Sequence, residues 1–304
     1  MIFSENIKNY TPAPTSLLSE RKPSDNVKAP FVSIKEMLDD EFMKTSPLTV
    51  ALGRNSSGEA VYCDIADTNH MLIAGRTGSG KSVCLHSMLM SILCKASPDD
   101  VRLILIDTKY VEFSCYNKIP HLLMPVATDS DKALSALEWA IEENQKRSWL
   151  IAEKGARDIN AYNKLADSDP SIKKMPYIVI MVDEFIDMFW SHKEEVETAI
   201  ARLAAISRVA GVFMVMATQQ PPLSVMHRFV GFSFPSRIAF ALPSECESRA
   251  VIDRGGAEKL HGPGQLIFSP SYPPTPVTLQ GAYVSYSEVD RVVAYFKEKY
   301  KYDC

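Results

Sequence analysis

From residue 71 onward the chain predicts an α/β fold, a mostly parallel central sheet flanked by helices. Short apolar runs alternate with longer amphipathic stretches, the pattern of strand–helix–strand units. The apolar runs are nearly continuous, as in strands covered on both faces. One of them opens through a glycine-rich turn into a helix, which places a ligand site at a strand end.

In chain order, residues 1–30 are polar and carry Pro12, Pro14, Pro23 and Pro30, which predicts a flexible or extended leader. Ser33 can cap a short amphipathic helix over Ile34–Phe42. Leu48–Gly53 and Ala60–Ile65 predict a hairpin around Asn55-Ser56-Ser57-Gly58. Residues 31–70 thus read as an N-terminal helix and hairpin extension, and 71–304 as the main domain. Strands are predicted at Met71–Ala74, Val101–Asp107, Tyr177–Asp183, Val212–Thr218, Arg237–Leu242 and Gln265–Phe268. Helices are predicted at Ser82–Lys95, Asp131–Lys154, Lys193–Val209 and Glu245–Asp253. The segment Ser269–Pro276 (SPSYPPTP) interrupts this pattern, either as a rigid connection or as a polyproline-type ligand. A last helix over Ser287–Tyr300 closes the chain.

Composition narrows the class. Hydrophobic residues make up 46% and charged residues 23%, which excludes wholesale disorder. Lys plus Arg number 33 against 37 Asp plus Glu, so a basic protein that coats nucleic acid is excluded, while local basic surfaces are not. The six cysteines form no CxxC pair and have the spacing of neither a zinc site nor a disulfide framework. Scattered in apolar surroundings, they fit a reducing, cytoplasmic setting. The six histidines show no metal spacing either. No run of 18 uncharged apolar residues is present, and the N-terminus MIFSENIKNY lacks the apolar stretch of a signal peptide.

The segment Gly75-Arg76-Thr77-Gly78-Ser79-Gly80-Lys81-Ser82 is a complete G-x-x-x-x-G-K-S between a strand and a helix. Glycines let the backbone curl so that successive N–H groups face phosphates, and the helix start adds partial positive charge. ATP and Mg²⁺ are the implied ligands. Lys81 reaches the β- and γ-phosphates, and Ser82 offers its hydroxyl to the Mg²⁺. The strand from Tyr177 ends in Asp183-Glu184. There Asp183 is placed to hold Mg²⁺, usually through water, and Glu184 to act as the general base on the attacking water. The strand from Val212 ends in Thr218-Gln219, and Gln219 is a candidate γ-phosphate sensor.

Several further stretches resemble the motor domain of the FtsK/SpoIIIE family of DNA translocases, a HerA/FtsK-type P-loop ATPase. They are SPLTVALGRNSSGEAVYCDIA, HMLIAGRTGSGKSV, DDVRLILIDTKYVEFSCYNKIPHLL, GARDINAYN, PYIVIMVDEFIDM, IARLAAISRVAGVFMVMATQQP, FPSRIAF and SRAVIDRGGAEKLHGPGQLIF. The similarity runs from Ser46 to Phe268, and more weakly to Phe296. It implies a RecA-like ATPase core, a homo-oligomer in the form of a hexameric ring, and double-stranded DNA drawn through the ring's pore. It also implies that Arg208, in ISRVAG, is an arginine finger supplied in trans, with Arg237 of FPSRIAF as a second candidate.

The departures from the family pattern concern DNA. Gln220 stands where the family has Arg, and Glu245 where it commonly has Lys, in the loop Pro243–Arg249. Of the family's DNA-gripping positions, Arg249 alone is matched, with Arg228, Arg254 and Lys259 as nearby candidates for DNA binding or for plain surface charge. Asp107-Thr108-Lys109 and nearby Glu112 carry charges like the family's, with a structural ion pair and a catalytic role both open. The leader replaces the family's preceding subdomain, and the linker LADSDPSIKKM replaces a helical insertion. With neither winged-helix orientation domain nor membrane domain in this stretch, a minimal motor is expected, without sequence-directed polarity and relying on a partner protein for those roles. The competing expectations are a conjugation- or secretion-type coupling ATPase acting on protein or nucleoprotein, and a slowly hydrolysing nucleotide-dependent scaffold.

Overall fold

A computed structural model describes residues 10–19, 32–219 and 233–300. Its strands are β1 (Val32–Ser33), β2 (Thr49–Asn55), β3 (Ala60–Asp64), β4 (Met71–Ala74), β5 (Val101–Ile106), β6 (Tyr177–Val182), β7 (Val212–Thr218), β8 (Ser236–Phe240), β9 (Gln265–Ser269) and β10 (Val277–Tyr283). The helices described are α1 (Ile34–Leu38), α2 (Ile65–Thr68), α3 (Lys81–Leu93), α4 (Ser130–Glu153), α5 (Ile159–Ser168), α6 (Phe185–Ser191), α7 (Lys193–Ile206), α8 (Glu245–Ile252) and α9 (Tyr286–Lys299). One sheet joins all ten strands in the order β3-β2-β10-β9-β8-β4-β7-β6-β5, with β1 beside β10. The run β8-β4-β7-β6-β5 is parallel. The strands from β9 to β3 are antiparallel to their neighbours, and only short β1 returns to parallel pairing.

Alternation along the strands splits the apolar residues into two cores. Met71, Ile73, Leu103, Leu105, Val179 and Met181 face one side, where α3 and α9 pack. Leu72, Ala74, Ile104, Ile106, Ile178 and Ile180 face the other, against α4, α6, α7 and α8. Both faces are covered, which is why these strands read as unbroken apolar runs. The parallel register brings Ala74 level with Thr218 and Ala239, and Ile106 level with Val182. The carboxyl ends of five strands therefore share one edge.

Some elements differ from the sequence expectation. The segment Val277–Tyr283 is a strand that reads as loop, because polar Thr278 and Gln280 and side-chain-free Gly281 dilute its pattern. The first helix stops at Leu38; Asp40 then caps a separate 3₁₀ turn over Glu41–Lys44. The helix α7 ends at Ile206, so Arg208 sits in the turn that Gly211, at φ +71°, redirects into β7. Leu165–Ser168, expected as linker, is the last turn of α5. Arg249 lies on α8, within the helix expected over Glu245–Asp253, and not in the loop assigned to Pro243–Arg249 by the family pattern.

Residues 10–19, within the leader, lie across α9. Tyr10 stacks on Tyr300 at 5.5 Å, and Arg291 Nε donates to the Leu17 carbonyl at 2.8 Å. Among the described residues no helix is long and apolar enough to cross a membrane.

Candidate functional site

The turn Gly75–Gly80 leaves β4 and curls at the carboxyl edge of the sheet. Its backbone is tied to both neighbouring strands: Gly75 N donates to Thr218 O at 3.2 Å, and Arg76 N to Ala241 O at 3.0 Å. Gly80 has φ +113°, and a Cβ there would lie 2.9 Å from the backbone nitrogen of Gly264. Only glycine meets both conditions. Gly264 N in turn donates to Ser79 O at 2.8 Å, so the loop before β9 clamps the turn from outside.

Lys81 opens α3 buried, and its ammonium lies 2.8 Å from Asp183 Oδ1 and 3.2 Å from the Asp183 carbonyl. Both side chains are about 5% exposed, so each needs the other's charge. Asp183 and Glu184 leave the tip of β6. Burial pushes the Glu184 carboxyl above its usual range, opposed first by the Thr218 hydroxyl, then by the Gln219 N–H and by Lys81 and Lys109. Glu184 Oε2 accepts from Gln219 N at 2.9 Å and lies 3.7 Å from Lys109 Nζ. The Gln219 side-chain oxygen accepts from Thr77 Oγ1 at 2.9 Å. One residue thus touches both the phosphate loop and the acid.

Three buried oxygens at this edge make no well-formed hydrogen bond among the described residues: Ser79 Oγ, Glu184 Oε1 and Thr218 Oγ1, the last of which interacts with the Glu184 carboxyl. Unsatisfied buried polar atoms are costly unless a ligand meets them. With the Ser82 hydroxyl and the Asp183 carboxylate they supply the all-oxygen surroundings that suit a hard cation held with a polyphosphate. The residues present therefore fit nucleotide and Mg²⁺.

Glu112 completes this edge from the turn after β5. His86 Nε2 and Tyr286 OH each lie 3.1 Å from its Oε2, and hydrogen bonding, that of His86 first, holds its carboxyl down to about 2 against burial. Asp107 does something simpler: fully buried, it accepts from the backbone N–H groups of Glu112 and Phe113 at 2.8 Å and shapes that turn.

Arg208 is exposed, and its side chain makes no hydrogen bond or ion pair among the described residues. It precedes the first residue of β7, whereas the phosphate loop adjoins the last. At about 3.3 Å per residue, that strand puts it on the order of 20 Å from its own phosphate loop. The other arginine candidate, Arg237, is buried: Nε donates to Phe234 O at 3.0 Å and Nη1 reaches Asp253 at 2.5 Å. This arginine fastens β8 to the end of α8 and is not presented to a neighbour.

The basic residues near α8 are largely answered by acids of the same chain. Glu245 stacks one turn before Arg249 and accepts from it at 2.6 and 3.0 Å. Lys259 lies 4.0 Å from Glu258. Arg254 is exposed. Gln220 and Arg228 lie outside the described residues.

The FtsK/SpoIIIE family profile matches residues 33–223. The chain belongs to the FtsK/SpoIIIE family. It is 43% identical over 270 residues to the DNA translocase FtsK of Clostridium tetani (strain Massachusetts / E88), covering 88% of this chain and 36% of that protein. To the DNA translocase SftA of Bacillus subtilis (strain 168) it is 42% identical over 276 residues, covering 90% of this chain and 29% of that protein. The chain thus spans about a third of the length of the curated relatives it matches. Among solved structures it resembles the pCW3 conjugation coupling protein TcpA, in a monomer form with ATPgS, at TM-score 0.75 and 23% identity. That likeness covers 90% of this chain and 75% of TcpA, and shows that the two share a fold.

Two contacts at this site escape a linear reading. Thr77 meets Gln219, 142 positions away, and Gly264 meets the phosphate loop from beyond β8.

Proposed function

We propose that this chain is the ATP-driven motor of a ring-shaped, hexameric translocase assembly acting on double-stranded DNA, with residues 71–304 as motor domain and 31–70 as its extension. The observation that carries the reading is the single constellation at the carboxyl edge: Lys81 on Asp183, and Gln219 bridging Thr77 and Glu184. The relatives named as DNA translocases support DNA as substrate. The described cysteines are all free, in keeping with a cytoplasmic setting.

Bound Mg²⁺ would supply Lewis-acid neutralisation of the phosphates, with Ser82 and Asp183 as its holders. The phosphate loop offers backbone N–H groups and the start of α3 to the nucleotide. Phosphates compete with Asp183 for Lys81, so nucleotide entry frees that carboxylate. Glu184, buried and with one oxygen unspent, is placed to take a proton from the attacking water. Gln219 feels changes at Thr77 and passes them to Glu184 through its backbone N–H. Arg208, too far from its own phosphate loop, serves a neighbour's.

A coupling ATPase acting on protein is the second reading, favoured by Glu245 neutralising Arg249. ATP hydrolysis with and without long linear double-stranded DNA, with Lys81→Ala as blank, separates the two. Several-fold stimulation supports the DNA motor; none, with rings still forming, favours a protein-coupled ATPase.

A further inference from the structure

A carboxylate that takes a proton from water must have its receiving oxygen aimed, and a glutamate side chain has several torsions to fix. Glu184 leaves the tip of β6, and the sheet order sets β7 on one side of that strand and β5 on the other. Each side sends one cationic or N–H group to the same oxygen. From the end of β7 the Gln219 N–H meets Oε2 at 2.9 Å. From the turn after β5 the Lys109 ammonium lies 3.7 Å from Oε2. We propose that Lys109 is a positioning residue for Glu184: together with the Gln219 N–H it holds Oε2 from both sides of β6 and leaves Oε1 to receive the proton of the attacking water. The inference rests on the reading of Glu184 as the general base.

The turn that carries Lys109 is built to hold still. Asp107 accepts from the Lys109 backbone N–H at 3.2 Å through one oxygen, and from those of Glu112 and Phe113 at 2.8 Å through the other. The Lys109 side chain is 39% exposed and that of Glu184 6%, so the cation comes to a buried acid from the solvent side. Lys81, the other lysine at this edge, is committed to Asp183 at 2.8 Å. The Lys109 ammonium also lies 3.7 Å from Asp187 Oδ2, on α6. A lysine that served only to fasten the turn to α6 would repeat what Thr108 does, since Thr108 Oγ1 already donates to Asp187 Oδ2 at 3.1 Å. The contact that Thr108 does not duplicate is the one to Glu184.

The test uses the full chain with ATP and MgCl₂, and reads kcat apart from affinity for a fluorescent non-hydrolysable ATP analogue. Lys109→Met should lower kcat about tenfold or more, a part of what a general base contributes, and leave the analogue's affinity within about twofold. Asp187→Asn removes the charge on α6 and should leave kcat within about twofold. In the Glu184→Gln background Lys109→Met should cost nothing further, because the group it positions is already gone. Lys109→Gln carries the same expectations if Lys109→Met does not fold. An unchanged kcat in Lys109→Met, a loss of affinity as large as the loss of kcat, an equal loss in Asp187→Asn, or an effect undiminished in the Glu184→Gln background overturns the proposal. Unchanged hydrolysis in Glu184→Gln alone overturns the reading of Glu184 itself, and the inference falls with it.

Discussion

The carboxyl edge of the sheet and the surface around α8 treat charge in opposite ways. At the edge, strand register gathers Lys81, Asp183, Glu184 and Gln219 onto one another and leaves three buried oxygens unspent. Around α8, Arg249, Lys259 and Arg237 have acid neighbours in Glu245, Glu258 and Asp253. The first arrangement holds unspent capacity for a ligand. The second holds much less, and any grip on DNA there must come from residues such as Arg254 and from repetition around an assembly.

The contrast predicts that damage to the nucleotide machinery stops turnover, whereas changes at α8 only tune it. Arg208→Ala should lower hydrolysis most, by about 10³-fold, as for loss of an arginine finger. Mixing it with Glu184→Gln subunits should restore part of the rate, because each variant supplies what the other lacks. No recovery on mixing would place Arg208 outside the neighbour's site. Glu184→Gln alone should cost about 10²-fold or more in hydrolysis while nucleotide still binds. An equal loss of binding would assign Glu184 to the fold instead.

At α8 the change runs the other way. Glu245→Lys removes the acid from Arg249 and adds a cation, so DNA affinity should rise about tenfold, with a salt slope steeper by about one to two. An unchanged slope would remove this face from the DNA path. The smallest effect concerns stability. Burial pushes both His70 and His121 down to about 4. The unfolded chain takes up these protons below its ordinary value and the folded one does not, so the contribution is whole above about pH 6.5. It is lost as the pH falls toward 4, by roughly 1 kcal/mol per histidine between about pH 6 and 5. Thermal melts across that range should show the slope, reduced in His70→Gln.

The same contrast separates what a linear reading captures from what it does not. Residues 75–82 are legible because phosphate-binding geometry fixes their spacing, and Asp183 and Gln219 because covered strands announce their own ends. The strand Val277–Tyr283 is not, since Thr278, Gln280 and Gly281 carry no apolar signal. The Glu245–Arg249 pair needs only the helix expected through both residues, which sets them one turn apart. Arg237 matches a finger in sequence, and only the fold brings Asp253 to it. The bond between His86 and Glu112 joins residues on separate elements, and nothing in their spacing foretells it.

The central claim is that hydrolysis at the carboxyl edge moves double-stranded DNA. Displacement of a third strand from a distant site on linear duplex DNA measures that movement directly. The full chain should displace it with ATP and Mg²⁺, and Glu184→Gln should not. Vigorous DNA-stimulated hydrolysis that never displaces the strand would contradict the claim.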